Sequence, residues 1–135
     1  MHRRLFLLAL VSSAIFLSAC GTGEPEAPQS IDERVLARWG YLIERDFENV
    51  WLYYSPGFRQ MTPQADYARD MDQRQVRWHD AELVSIDCAA EQCDVVVKVT
   101  YQAVGAPNQM GRMRISRELA EQWILVDGQW WFATN

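Results

Sequence analysis

Positive charge, histidine, lysine and cysteine are all scarce in this chain, and each shortage removes a class of function. Thirteen basic residues face eighteen acidic ones over 135 positions, for a formal charge of −5. That balance leaves no basic footprint for nucleic acid, so no nucleic-acid partner is expected. Lys98 is the single lysine, and the other basic residues are arginines, which reads first as a compositional bias. His2 and His79 are the two histidines, and Cys20, Cys88 and Cys93 the three cysteines. Their spacing matches no metal-ligand pattern, so neither a metal nor a cofactor is expected. No nucleophile–base motif, internal repeat or low-complexity segment is present, and no apolar run is long enough for a comfortable membrane span.

What is present begins at the N-terminus. Met1-His2-Arg3-Arg4 is basic, residues 5–17 are apolar apart from Ser12 and Ser13, and Leu17-Ser18-Ala19-Cys20 follows. The layout is that of a secretory signal. Its end resembles the lipobox of bacterial lipoproteins: Leu, a small residue, Ala or Gly, then Cys. The resemblance implies cleavage before Cys20, diacylglycerol on its sulfur and an acylated amine, with 1–19 removed as signal peptide. Residues 20–30 are then the lipidated cysteine and a flexible tether, small, polar and Pro-containing. Two or three acyl chains contribute about 0.8 kcal/mol per buried methylene, enough for a stable anchor. The implied location is the cell envelope, facing the periplasm. Gly21, where Asp would favour inner-membrane retention, points to the outer membrane.

Lipid on Cys20 leaves Cys88 and Cys93 as a pair in an oxidising compartment, flanking Ala89-Ala90-Glu91-Gln92. They sit at the ends of two strand-like runs and fall opposite each other where a hairpin closes, so a structural disulfide is expected. A redox-active pair is the sharper alternative, but the spacing is not C-x-x-C. Residues 31–135 make one small domain of about 105 residues, able to bury a single core.

Within that domain the period changes once. Residues 31–45 read as an amphipathic helix capped by Ser30, with Ile31, Val35, Leu36, Trp39, Leu42 and Ile43 at helical spacing. A second helix over 46–54 ends at Ser55-Pro56-Gly57, and a third starts at Thr62-Pro63 and carries Ala65, Tyr67, Ala68 and Met71. From about Trp78 the period is two. Residues 82–88 put Val84, Ile86 and Cys88 on one face, and residues 93–102 put Val95, Val97, Val99 and Tyr101 on one face. A turn is expected at Gly105-Ala106-Pro107-Asn108. Residues 111–119 read as a strand with Arg112 and Arg114 on a shared face, and 122–126 with 129–134 as a hairpin closed by Asp127-Gly128. Helices followed by an antiparallel meander is an α+β layout.

Arg45-Asp46-Phe47-Glu48 between the first two helices, Tyr54-Ser55-Pro56 after the second, and the closing Trp123-Ile124-Leu125-Val126-Asp127-Gly128-Gln129-Trp130 hairpin resemble the NTF2-like (SnoaL-like) superfamily. That resemblance implies an NTF2-like cone, N-terminal helices packed on a curved antiparallel sheet around a pocket. Enzymes of the ketosteroid isomerase type place a catalytic acid and a tyrosine in that pocket. Tyr41 matches the tyrosine's place in the first helix, but Pro56-Gly57-Phe58-Arg59-Gln60-Met61 offers no acid, so the isomerase mechanism is unsupported.

Tyr41, Trp123 and Trp131 are the candidate ligand-binding residues of the cone, with Arg112 and Arg114 for an acidic ligand or partner. In the final strand Trp130 and Phe132 share one face and Trp131 takes the other. His79 reads as a hydrogen-bonded structural histidine, with a general base as the sharper alternative. The leading expectation is non-catalytic: a membrane-tethered domain that binds a small apolar ligand or a partner protein of the envelope. A pocket enzyme with acid/base chemistry at His79 or Tyr41, and a structural subunit of an envelope complex, are the alternatives.

Overall fold

A computed structural model describes residues 29–105 and 111–134. The signal segment, Cys20, nearly all of the tether and residues 106–110, which include Ala106-Pro107-Asn108 of the expected turn, lie outside the described residues.

Four helices precede four strands. Helix α1 (Ile31–Glu44) starts where the Ser30 backbone N–H donates to Glu33 Oε2 at 3.0 Å. It ends at Arg45, whose φ of 61° places it in the left-handed region. The fully exposed Asp32 in its first turn has its carboxyl held below the ordinary value, chiefly by a hydrogen bond from the Ser30 side chain. The second expected helix is shorter than 46–54, and a further helix begins at Pro56, where the chain is expected to leave helix. Helix α2 (Phe47–Trp51) is capped by the Asp46 side chain, which accepts from Asn49 N–H, and α3 (Pro56–Met61) by the Ser55 hydroxyl, which accepts from Phe58 N–H. Pro56 opens α3, because its fixed φ suits a first turn, where its missing N–H costs nothing. Helix α4 (Gln64–Gln73) carries its own surface ion pairs, Arg69 with Asp66 and Arg74 with Asp70.

Strands β1 (Val76–Ala89), β2 (Gln92–Ala103), β3 (Ile115–Val126) and β4 (Gln129–Ala133) form one antiparallel meander in chain order. The expected break between residues 119 and 122 does not occur, and β3 runs through it, pairing with β2 over its first ten residues and with β4 over its last five. Residues 111–114 lie outside the sheet, so the strand face expected to align Arg112 with Arg114 does not form, and both are exposed. The β2–β3 ladder stops at Tyr101–Ile115, and the next bond across is from the Gln102 side-chain amide to the Gly111 carbonyl. Two register shifts in β1, at His79 and Val84, each insert one residue and reverse the alternation. Leu83 and Ile86 therefore turn inward while Val84, expected beside Ile86, is 50% exposed.

Beyond β4 the chain makes one more strand-like contact. Tyr54 bridges Phe132 in parallel, with Ser55 N–H donating to the Phe132 carbonyl at 3.0 Å and Phe132 N–H to the Tyr53 carbonyl at 2.8 Å. This ties the α2–α3 junction to the edge of the sheet. Cys88 and Cys93 are direct register partners at the β1–β2 hairpin, 4.0 Å apart at Cα, and their sulfurs are bonded.

The core fills the space between helices and sheet. Val95, Val97 and Val99 of β2 and Trp123 of β3 are wholly buried against Val35, Trp39 and Leu42 of α1 and Val50 of α2. Each such side chain contributes roughly 1.5–3 kcal/mol. This is the α+β layout that the NTF2-like resemblance implies. The α1 stripe differs from expectation in one respect: Leu36 is exposed, and Arg34 and Arg38 are buried beside Val35 and Trp39.

Candidate functional site

Between α1, α4 and the inner sheet face lies a two-lobed cavity. One lobe, about 500 Å³, is lined by Arg38, Tyr54, Phe58, Tyr67, Arg74 and Phe132 with Thr62, Asp66, Asp70 and Thr134. The other, about 250 Å³, shares Arg38, Tyr54, Arg74 and Phe132 and adds Trp39, Leu42, Met71, Trp78, Leu119, Ala120 and Glu121. The smaller lobe is walled mainly by rings and aliphatic chains, and the larger joins the rings of Tyr54, Phe58, Tyr67 and Phe132 to the charged Arg38, Asp66, Asp70 and Arg74.

The main charge is the Arg38–Glu121 pair, 5% and 8% exposed. Arg38 Nη1 donates to Glu121 Oε1 at 2.9 Å, and Trp39 Nε1 donates to the same oxygen at 2.9 Å. Trp123 Nε1 donates to Oε2 at 3.0 Å. A carboxylate holding three N–H donors is well compensated in a dry site, and it is poorly placed to take a proton from anything else. The Arg38 guanidinium carbon sits 3.7 Å from the centroid of the Phe132 ring, which adds a cation–π contact.

Two donors in this region are left over. Arg38 Nε and Trp78 Nε1 are buried and have no hydrogen-bond partner among the described residues. Both residues line the smaller lobe. Buried N–H groups are almost always paired, so two orphans on residues of one lobe are exceptions that call for an acceptor. Trp78 is held edge-on by Trp39 (5.2 Å between centroids) and by Tyr101 (5.5 Å), which fixes where its N–H points.

A neutral polar pair lies in the larger lobe. The Tyr67 hydroxyl donates to the Tyr54 hydroxyl at 3.2 Å. Burial, and then the neighbouring Tyr54, push the Tyr67 hydroxyl well above the ordinary tyrosine value, so it stays protonated.

The residues expected to line the cone are placed elsewhere. Trp123 is wholly buried, and its indole N–H is spent on Glu121. Tyr41, about 200° round the helix from Trp39, turns away from the sheet. Its ring lies against Tyr53 at 5.9 Å, and it lines an open groove on α1 with Ala37, Gly40 and Glu44. Trp131 lines neither lobe; the guanidinium carbons of Arg34 and Arg59 lie 5.0 Å and 4.6 Å from its ring centroid, and its N–H donates to the Val126 carbonyl. Arg112 and Arg114 contribute to neither lobe. His79 sits at a bulge with Nε2 3.2 Å from Gln102 Oε1, also outside both lobes. Among the described residues no group of His, Cys, Asp and Glu is arranged to hold a metal.

Glu121, Arg38 and Trp78 are the residues that the sequence reading passed over. Their signals were present: Arg34 and Arg38 fall on the helical stripe with Val35 and Trp39, and Glu121 shares the inward parity of Leu119 and Trp123.

No family model matches the sequence, and no curated protein matches it. Solved structures do. A SEC-C-motif-containing protein from Psychrobacter arcticus superposes with a TM-score of 0.62 at 10% identity, over 95% of this chain and 75% of the other. A second SEC-C-motif-containing protein, from Rhodopseudomonas palustris, gives 0.60 at 14% identity, over 78% and 76%. An LEH-like epoxide hydrolase from M. tuberculosis gives 0.47 at 17% identity, over 75% and 80%. The chain thus shares its α+β fold with two bacterial proteins named for a SEC-C motif.

Proposed function

We propose that this chain is a lipid-anchored envelope protein whose cone binds a small, largely apolar ligand carrying one hydrogen-bond-accepting group, a carboxylate or a carbonyl. The observation that carries the binding half is the pair of orphan donors, Arg38 Nε and Trp78 Nε1, on residues lining one lobe of an aromatic cavity. An acceptor that reaches one of these N–H groups would pair it, while the ligand body packs on Phe132, Phe58 and Tyr54. Binding is favoured over acid/base chemistry because Glu121, the one buried carboxylate among the described residues, is already held by three N–H groups. The anchor half rests on the lipobox at Cys20 and the short polar segment after it.

Titration of the purified full chain with 1-naphthoate, an apolar ring bearing a carboxylate, tests the binding half. The Trp78 indole N–H resonance should shift saturably, and Arg38→Lys should weaken the apparent affinity by about tenfold, the cost of roughly one charge-assisted bond. Absence of any saturable shift at Trp78 would sink the reading. Incorporation of labelled fatty acid tests the anchor half separately: Cys20→Ala should abolish both label and membrane fractionation. Retention of both would remove the anchor and leave the pocket untouched.

A further inference from the structure

A second cationic cluster lies outside the cone, at the edge of the sheet. Arg34 of α1 and Arg59 of α3 both stack on Trp131 of β4, with guanidinium carbons 5.0 Å and 4.6 Å from the ring centroid. Arg34 also lies 4.5 Å from the centroid of the Tyr53 ring, and Arg59 5.4 Å from that of Trp51. Two cations are therefore gathered round one indole, in a chain whose overall charge is −5.

Neither cation has a carboxylate partner among the described residues. The ion pairs among the described residues belong to Arg38, Arg45, Arg69, Arg74 and Lys98. Arg34 is only 8% exposed. With the Gln129 amide turned so that its oxygen faces Arg34, that oxygen accepts from Nε at 2.9 Å and from Nη1 at 3.0 Å, a neutral partner for a buried charge. Arg59 has less: its Nε is buried and carries no hydrogen bond. Ring faces supply about 0.5–2 kcal/mol per contact, below the several kcal/mol that desolvating a charge costs. Burial lowers the pKa of Arg34, the neighbouring Tyr53 opposes that shift, and Arg59 adds a smaller lowering.

We propose that Arg34 and Arg59, held against Trp131, form an oxyanion site that takes a phosphate or carboxylate group at the sheet edge. The indole holds both guanidinium groups in place beforehand, so an arriving anion orders little and meets two forks of donors. Trp131 and Arg59 are half-exposed, which leaves an approach from solvent. The phosphate of a lipid headgroup and free phosphate present the same oxygens to these donors.

The test uses the purified full chain in neutral detergent, with inorganic phosphate replacing chloride at constant ionic strength. Arginine Nε–H and tryptophan indole resonances are followed by NMR. The signals of Arg34, Arg59 and Trp131 should move together and saturate. Arg59→Gln should weaken the apparent affinity at least about tenfold with the fold intact, and Arg59→Lys should restore part of it. A parallel titration adds phosphatidylglycerol to the micelles. The same shifts at lower concentration than phosphate would identify a lipid headgroup; shifts with phosphate alone would identify a free anion. Both outcomes support the site. Signals that stay in place in both titrations, or drift linearly and equally in Arg59→Gln, would overturn it.

Discussion

Arg34 and Arg38 stand one turn apart on α1, 8% and 5% exposed, yet their charges are compensated in different ways. Arg38 meets a carboxylate in the cone, and that carboxylate is itself tied by two indoles. Arg34 meets rings and an amide at the sheet edge. The comparison separates two requirements that burial usually mixes. A cation needs contacts, and both have them; a cation also needs counter-charge, and only Arg38 has it. The cone is therefore electrostatically closed around Glu121, and what it lacks is an acceptor for two leftover N–H groups. The sheet edge has its donors in place and lacks an anion.

The largest expected effect breaks the closed side. Glu121→Gln removes the counter-charge of Arg38 and turns an amide N–H toward one of the two indoles. A loss of about 3 kcal/mol is expected, the range for an ion pair stripped of one partner in a dry site. Urea unfolding of wild type and variant measures it. A loss below about 1 kcal/mol, the value of an exposed pair, would mean that Arg38 is not held by Glu121.

Removing both charges should cost less than the two single losses added together. Arg38→Met with Glu121→Gln leaves no buried charge in the cone, so a thermodynamic cycle should return a coupling of about 2 kcal/mol. The double variant should nevertheless bind 1-naphthoate at least about tenfold more weakly, because one of the two donors assigned to the ligand has gone. Undiminished binding in a folded double variant would move recognition from Arg38 to the rings.

Much of this fold was legible in the sequence because its periods are regular. The alternation of Val95, Val97 and Val99 placed the inner face of β2, and the order of helices then strands gave the α+β class. Pairing of Cys88 with Cys93 was legible for the same reason, since two strand ends must meet where a hairpin closes. Failures came where a single residue shifts a period. Bulges at His79 and Val84 reverse the pleat without any composition change, and Val84 was placed inward on an alternation that one extra residue had already broken. The site was less legible still. Aromatic residues attracted attention at Tyr41, Trp123 and Trp131, whereas the cavity wall is set by Arg38, Trp78 and Glu121. Charged residues on an apolar stripe resemble lapses in the pattern until tertiary contacts bring Arg38 and Glu121, 83 positions apart, to 2.9 Å. Local spacing carries no information about that meeting.

The smallest expected effect is on the open side, and it comes from the same substitution made one turn earlier. Arg34→Met keeps an unbranched chain of similar length along α1 and so preserves most of the packing of the stem. It removes the stacks on Tyr53 and Trp131 and the two bonds to Gln129. It also removes a desolvated charge that has no anion, and that gain offsets much of the loss. A net cost of about 1 kcal/mol is expected, against about 3 for Arg38→Met alone, which strands the Glu121 carboxylate. Both are read from denaturant midpoints at equal m-values, so that a change in the unfolded state is not mistaken for one in the native state. Equal losses at the two positions would show that ring faces and an amide hold a buried guanidinium as firmly as a carboxylate does, and the sheet edge would then need no anion. A loss at Arg34 that is the smaller of the two, and that shrinks further when phosphate is withheld from the wild type, ties the deficit there to the missing counter-charge.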